Sequence, residues 1–218
     1  MTLVDGSGRP ARVLVLAPHT DDAELGSGAS ISRLIRDGSE VHIVAFSAAE
    51  QSVPSHLPPD INREDALRSA RSMSVPEGNV SVLEIPVRRF PDYRQPILDA
   101  MIGLRAEIDP DVVIGPCSTD RHQDHEVVHQ EMMRAFARRT VLGYELPWNS
   151  VTFEASTHIE VTADDVATKV KALACFRSQE ARDYISEDYL RSWAVTRGTQ
   201  AAMPLAEAYE LLHWRLDL

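Results

Sequence analysis

Two short polar clusters hold most of this chain's capacity for chemistry: Pro18-His19-Thr20-Asp21-Asp22 and His122-Gln123-Asp124-His125. Both combine imidazole nitrogens with carboxylate oxygens, a donor set that divalent metals take from proteins. Asp21 and Asp22 are adjacent, so their side chains leave the backbone in different directions; one suits a metal, the other a water beside it. Two bare carboxylates this close repel, and a dication removes that penalty. His19 lies three positions before Asp22, near enough in a tight turn to share the ion. A third ligand from the second cluster leaves one coordination position open for water, as in catalytic zinc sites. His122 and His125 both qualify, because Asp124 can instead orient one of them through a ring N–H. A histidine kept off the metal can stabilise an oxyanion and protonate a leaving amine. His129, four residues beyond His125, shares its helical face and is a reserve ligand. The chemistry indicated is metal-dependent hydrolysis.

For the clusters to meet, the fold must bring positions a hundred residues apart to one place. Each follows a strand-like run, Val13–Ala17 and Val112–Gly115. Loops that follow the strands of a parallel sheet all open on one edge, where ligands bind. Further strand-like runs fall at Val41–Phe46 and Val80–Ile85. Helix-like stretches alternate with the strands at Ala23–Arg36, Asn62–Met73, Gln95–Glu107 and Asp124–Arg138. That alternation predicts an α/β fold: a Rossmann-like three-layer sandwich with a mostly parallel central sheet and flanking helices. Residues 1–10 read as a flexible tail and 11–218 as a single domain. Towards the end, Val141–Leu146 and His158–Val161 suggest strands, Ala163–Phe176 and Leu205–Trp214 helices. The proline-rich Ala48–Asp60 segment follows the second strand and is expected to project over the edge that carries the clusters.

Composition narrows the options. A formal charge of -11 argues against a protein that coats nucleic acid, which needs clustered cations. Two well-separated cysteines make no disulfide framework, and Cys117 lacks a base partner, so it reads as a packed residue. No basic-then-apolar leader and no apolar run of ~18 residues is visible, so a cytoplasmic protein without a membrane span is expected. Each cluster alone has a plainer explanation as a helix start, but both together, after strands of one sheet, favour a site. Two rival classes are a nucleotide-binding α/β protein and a non-catalytic sugar-binding relative. The first strand leads into no glycine-rich phosphate loop, and Gly26 and Gly28 alone make no dinucleotide fingerprint.

In its two motifs the chain resembles the PIG-L / LmbE-like family of metal-dependent N-acetylglucosaminyl deacetylases, which carry His-Pro-Asp-Asp and His-x-Asp-His after corresponding strands. Supporting segments are Asn62-Arg63-Glu64, Tyr144-Glu145-Leu146-Pro147-Trp148-Asn149, Phe176-Arg177-Ser178-Gln179 and Ala206-Glu207-Ala208-Tyr209-Glu210. The resemblance implies His19, Asp22 and His125 as metal ligands and Asp21 as general base. It also implies His122 as oxyanion stabiliser and general acid, oriented by Asp124. Thr20 stands where the family usually has proline, which removes a fixed backbone angle from the loop. Zn²⁺ suits two imidazoles and a carboxylate, with Fe²⁺ or another first-row ion fitting the same donors. The implied reaction is removal of an acetyl group from an N-acetylated amino sugar or its conjugate. Assembly into a homo-oligomer is also expected on this resemblance. Arg63, Arg88 and Arg89, with Arg94, are candidates to read an anionic group on the substrate, and Trp148 to stack on a sugar face.

Overall fold

The structure, a computed structural model, describes residues 10–215. The expected tail, save Pro10, and residues 216–218 lie outside the described residues. The chain runs β1 (Arg12–His19), α1 (Asp22–Arg36), β2 (Glu40–Ser47), α2 (Ile61–Ser72), β3 (Val80–Val82), α3 (Arg94–Ile108), β4 (Val112–Pro116) and α4 (Gln123–Ala135). It continues through β5 (Thr140–Tyr144), β6 (Thr157–Glu160), α5 (Ala163–Leu173), α6 (Glu187–Gln200) and β7 (Ala206–His213). The strands form one sheet in the order β3-β2-β1-β4-β5-β7-β6. The first five pair in parallel, and β7 runs against both of its neighbours.

Alternation along β1 shows how the layers arise. Val13, Val15 and Ala17 face a core shared with Leu25 and Ile31 of α1, Ala70 of α2 and Leu173 of α5. Leu14 and Leu16 face the opposite core, with Ile97 and Met101 of α3 and Val128 and Met132 of α4. A central strand buried on both faces reads as a continuous apolar run, as this one does. The expected α/β three-layer arrangement is therefore present. Connections from β1 proceed to β2 and β3 on one side, whereas β4 and β5 lie on the other. The edge between β1 and β4 is the point where strand order reverses, and both polar clusters leave the sheet there.

One expected element is of the wrong type. Leu205–Trp214, rich in the helix formers Ala, Glu and Leu, is not helical but supplies β7. The segment fills the slot between β5 and β6, where ladder bonds on both sides and burial of Ala206–Tyr209 override a weak helix propensity. Helix α6 was not anticipated: its buried positions, Leu190, Ala194 and Gly198, form only a narrow stripe. Its start is marked by Ser186, whose hydroxyl accepts from the Tyr189 amide. Strand β3 also stops at Val82 rather than Ile85, although Leu83 and Ile85 still donate to β2 carbonyls. Helix α4 ends at Ala135, three residues before the expected Arg138.

Gly26 and Gly28 have packing explanations. A Cβ on Gly26 would stand 2.4 Å from the Tyr144 ring, and one on Gly28 would stand 2.9 Å from Cγ of Lys169. That lysine is buried. Its Nζ donates to the Leu25 carbonyl of α1 and to Glu207 Oε1, both at 2.6 Å. Glu207 in turn accepts from the α1 amides of Ala29 (3.3 Å) and Ser30 (2.7 Å). A buried ion pair thus ties α1, which carries the first cluster, to α5 and β7.

Candidate active site

Strand β1 delivers His19 to the sheet edge, and a tight turn through Thr20 starts α1 at Asp22. The His19 amide donates to Asp22 Oδ2 at 2.8 Å, closing the turn across Thr20, which is itself buried. This bond restrains the loop where the resemblance would place a proline. From β4 the chain passes Asp120 and enters α4 at His122–Gln123, bringing His125 opposite His19.

Three donor atoms form a small triangle. Asp22 Oδ2 lies 3.1 Å from His19 Nδ1 and 3.2 Å from His125 Nε2, and the two nitrogens are 3.3 Å apart. Ligands about 2.0–2.1 Å from a tetrahedral ion stand roughly 3.3 Å from one another. The triangle therefore fits a divalent first-row metal. His122 is also close, with ligand atoms of His19, His122 and His125 within 4.8 Å of one another, but that grouping is looser. His129 turns away, its Nδ1 set 3.0 Å from the Pro116 carbonyl.

Each triangle imidazole is backed by a carboxylate. Asp120 Oδ2 lies 2.7 Å from His125 Nδ1, and Asp124 Oδ2 lies 3.0 Å from His19 Nε2. Such partners fix ring orientation and raise ligand basicity. Asp124 therefore orients His19, not His122 as the resemblance implied. Its first oxygen contact aside, it is held by the backbone amides of Arg88 (2.6 Å) and Phe90 (3.4 Å). Asp120 escaped the sequence reading, since an acid five positions before a histidine has no distinctive spacing. Its other oxygen accepts from the His122 amide at 2.9 Å.

Electrostatics follow from this crowding. Burial opposes charge on His19, but Asp124 and Asp22 outweigh it and raise the pKa to about 9. On His125 burial is likewise overcome, by Asp22 and Asp120, to about 10. Asp22 is held far below the usual carboxylate range, burial being overridden by His125 and His19. The triangle is thus a place that favours positive charge. Asp21 differs: burial, then repulsion from Asp22, raise it to about 6, and its carboxylate has no hydrogen-bond partner in another described residue. His122 has a lowered pKa, from burial and then from His125 and His19. Its Nδ1 accepts from the Asp124 amide at 3.2 Å, so the neutral ring carries its proton on Nε2.

Of the substrate-reading candidates, Arg63 lines a cavity of ≈ 320 Å³ between Ala48–Gln51 and Leu83–Val87, while donating to the Val82 carbonyl at 2.6 Å. This cavity borders the expected projecting segment and includes Ser47, the register partner of His19. Arg88 reaches Ser52 at 3.4 Å. Arg89 pairs with Asp92 at 2.7 Å and Arg94 with Gln130 at 2.7 Å, so both are engaged outside the cavity. Trp148 is exposed on the edge after β5. Cys117 is buried between Thr119 and Ser150, as a packed residue.

The fold and the site define an α/β protein with two histidines and one carboxylate gathered at the sheet's reversal point, a donor set that suits a divalent ion. The chain belongs to the PIG-L family, whose profile, described as GlcNAc-PI de-N-acetylase, matches residues 14–136. It is 28% identical over 189 residues to the uncharacterized deacetylase YaiS of Escherichia coli (strain K12), covering 81% of this chain and 96% of YaiS. Its fold is similar to N,N'-diacetylchitobiose deacetylase from Pyrococcus horikoshii, with a TM-score of 0.77, 23% identity and coverage of 92% and 83% of the two chains. A comparable likeness holds to GalB, the 4-carboxy-2-hydroxymuconate hydratase of Pseudomonas putida KT2440, with a TM-score of 0.76, 18% identity and coverage of 95% and 98%. At these identities the likeness is one of fold. Among the described residues no helix is long and apolar enough to cross a membrane.

Asp120→Asn should weaken metal binding about tenfold to a hundredfold, the usual effect of losing such a partner. Competition against a chromophoric chelator measures this, and an unchanged affinity would show that Asp120 does not support His125.

Proposed function

We propose that this chain is a zinc-dependent N-deacetylase acting on an N-acetylated amino sugar or sugar conjugate. The observation that carries the reading is the 3.1–3.3 Å triangle of His19, Asp22 and His125 with the Asp21 carboxylate next to it, hydrogen-bonded to no other described residue. Membership of the PIG-L family and the deacetylase names of YaiS and the Pyrococcus enzyme support the reaction. Two imidazoles and one carboxylate suit Zn²⁺ and accept Fe²⁺ as well.

When bound, the ion polarises the acetamide carbonyl and lowers the pKa of a water towards neutrality. Asp21 takes a proton from the attacking water as its oxygen adds to the carbonyl carbon. His122, with its proton on Nε2, donates a hydrogen bond to the oxygen on which negative charge develops. The C–N bond then breaks, and Asp21 returns its proton to the departing nitrogen, leaving acetate and a free amine. The general-acid role that the resemblance gives to His122 passes to Asp21 in this scheme, because burial, His125 and His19 favour the neutral ring of His122. Asp120 and Asp124 hold the two ligand imidazoles still throughout.

An amine-release screen over N-acetylated sugars and conjugates, with metal-stripped protein as control, tests the proposal. Metal-dependent release from at least one of them is expected. Equal release with and without metal, or none across a broad panel, would refute it.

A further inference from the structure

The two histidines of the second cluster depend on the turn between β4 and α4, residues 117–122. Within it Asp120 Oδ2 meets His125 Nδ1 at 2.7 Å, and the other carboxylate oxygen takes the His122 amide at 2.9 Å. Part of the turn rests on the β5–β6 connection. Thr119 donates to the Thr152 carbonyl, Asp120 bridges to Ser150, and the Arg121 amide donates to the Asn149 carbonyl at 3.2 Å. That connection is itself a loop, so it cannot alone fix the turn against the sheet.

Ser118 supplies the tie to the sheet. Its amide donates to Glu210 Oε2 at 2.7 Å and its hydroxyl to Glu210 Oε1 at 2.6 Å, so one residue takes both carboxylate oxygens. Glu210 belongs to β7, and β5 lies between that strand and β4. The side chain reaches across because its register partner on β5 is Gly143. A Cβ on Gly143 would stand 2.8 Å from the Cys117 Cα. Without one, the chain leaving β4 lies directly on β5, and Ser118 comes within range of the next strand. Hydrogen bonds to a carboxylate are roughly twice as strong as neutral ones, and a two-point grip fixes orientation as well as distance.

We propose that Glu210 is a positioning residue for the metal centre, acting through Ser118 and Asp120 on the ring of His125. Its bonds are to Ser118 and to none of the triangle's residues. What it sets is the place of the turn, and with it the aim of the Asp120 carboxylate at His125 Nδ1. The role is one of geometry, so a neutral group of the same shape should fill it. The inference rests on the metal-centre part of the deacetylase reading and adds no step to the reaction.

Zinc affinity of the full chain, read by competition with a chromophoric chelator, tests it in four variants. Glu210→Ala should weaken Zn²⁺ binding about fivefold, less than the loss of Asp120 itself because the effect is one step removed. Glu210→Gln should stay within about twofold of the parent: its oxygen still accepts from the Ser118 amide, and its NH₂ donates to the hydroxyl. In an Asp120→Asn background, Glu210→Ala should add almost nothing, since the two changes cut one chain of contacts. A second readout needs no metal. In stripped protein the His125 ring N–H, seen by NMR, should exchange with water severalfold faster in Glu210→Ala and at the parent's rate in Glu210→Gln. Unchanged affinity and exchange in Glu210→Ala overturn the proposal. So does a Glu210→Gln loss as large as that of alanine, or a full fivefold loss on top of Asp120→Asn. Both readouts are made without turnover, so expected shifts in a protein that releases no amine sink the deacetylase reading alone.

Discussion

Asp21→Asn should lower kcat by at least a hundredfold while leaving metal affinity within about twofold of the parent. A positioned general base contributes roughly 10²–10⁴ in rate, and asparagine keeps the shape of the side chain but cannot accept the water's proton. Affinity should persist because Asp21 is outside the donor triangle: Asp22, His19 and His125 contact one another at 3.1–3.3 Å without it. Its burial and the neighbouring Asp22 raise its pKa, which makes it a stronger base than an ordinary surface aspartate. The parent's rate should accordingly rise as pH increases and Asp21 loses its proton, and the variant should lose that acid limb. Turnover within tenfold of the parent would remove Asp21 from the mechanism. A loss of metal binding in step with activity would instead make it a ligand.

The second large effect concerns stability. Lys169→Met should cost about 3 kcal/mol or more, read as a fall in the urea midpoint at constant slope. The substitution nearly preserves volume, so the cost is electrostatic. Glu207, 8% exposed at its side chain, would keep its charge with no cation beside it. It would retain the Ala29 and Ser30 amides and the Tyr209 hydroxyl as donors, none of them a cation, and the Leu25 carbonyl would lose the ammonium. A double variant, Lys169→Met with Glu207→Gln, should recover much of the loss, because replacing both partners of a buried pair is often neutral. An unfolding free energy for Lys169→Met within about 1 kcal/mol of the parent would show that the pair does not stabilise the anchoring of α1.

The sheet edge that carries the two clusters was legible in the sequence because its elements agree at every level. Val13–Ala17 and Val112–Gly115 are apolar runs too short for helices, and polar clusters follow both directly. Their adjacency in the sheet follows from the connection rules of parallel α/β proteins. The parts that escaped depend on long-range contacts. Leu205–Trp214 has helix-favouring residues and becomes β7 only because β5 and β6 leave a slot for it. Asp124 was legible as a partner for an imidazole, but only the packed structure shows that the imidazole is His19, across the sheet edge. Asp120 reaches the site from a turn, where no periodicity marks it. Of the arginines, only position in space separates Arg63, which lines the cavity, from Arg89, which pairs with Asp92, and Arg94, which pairs with Gln130 and the buried Glu131.

In the proposed mechanism one ion, held by His19, Asp22 and His125, is what makes the chain a deacetylase. The most direct measurement strips the protein of metal and follows amine release from an N-acetylated sugar conjugate while Zn²⁺ is returned in fractions of an equivalent. Release should be absent at the start, climb linearly and level off at one ion per chain, with His125→Ala showing no such rise. Release that is already complete in the stripped protein, or that climbs equally in His125→Ala, would contradict the claim.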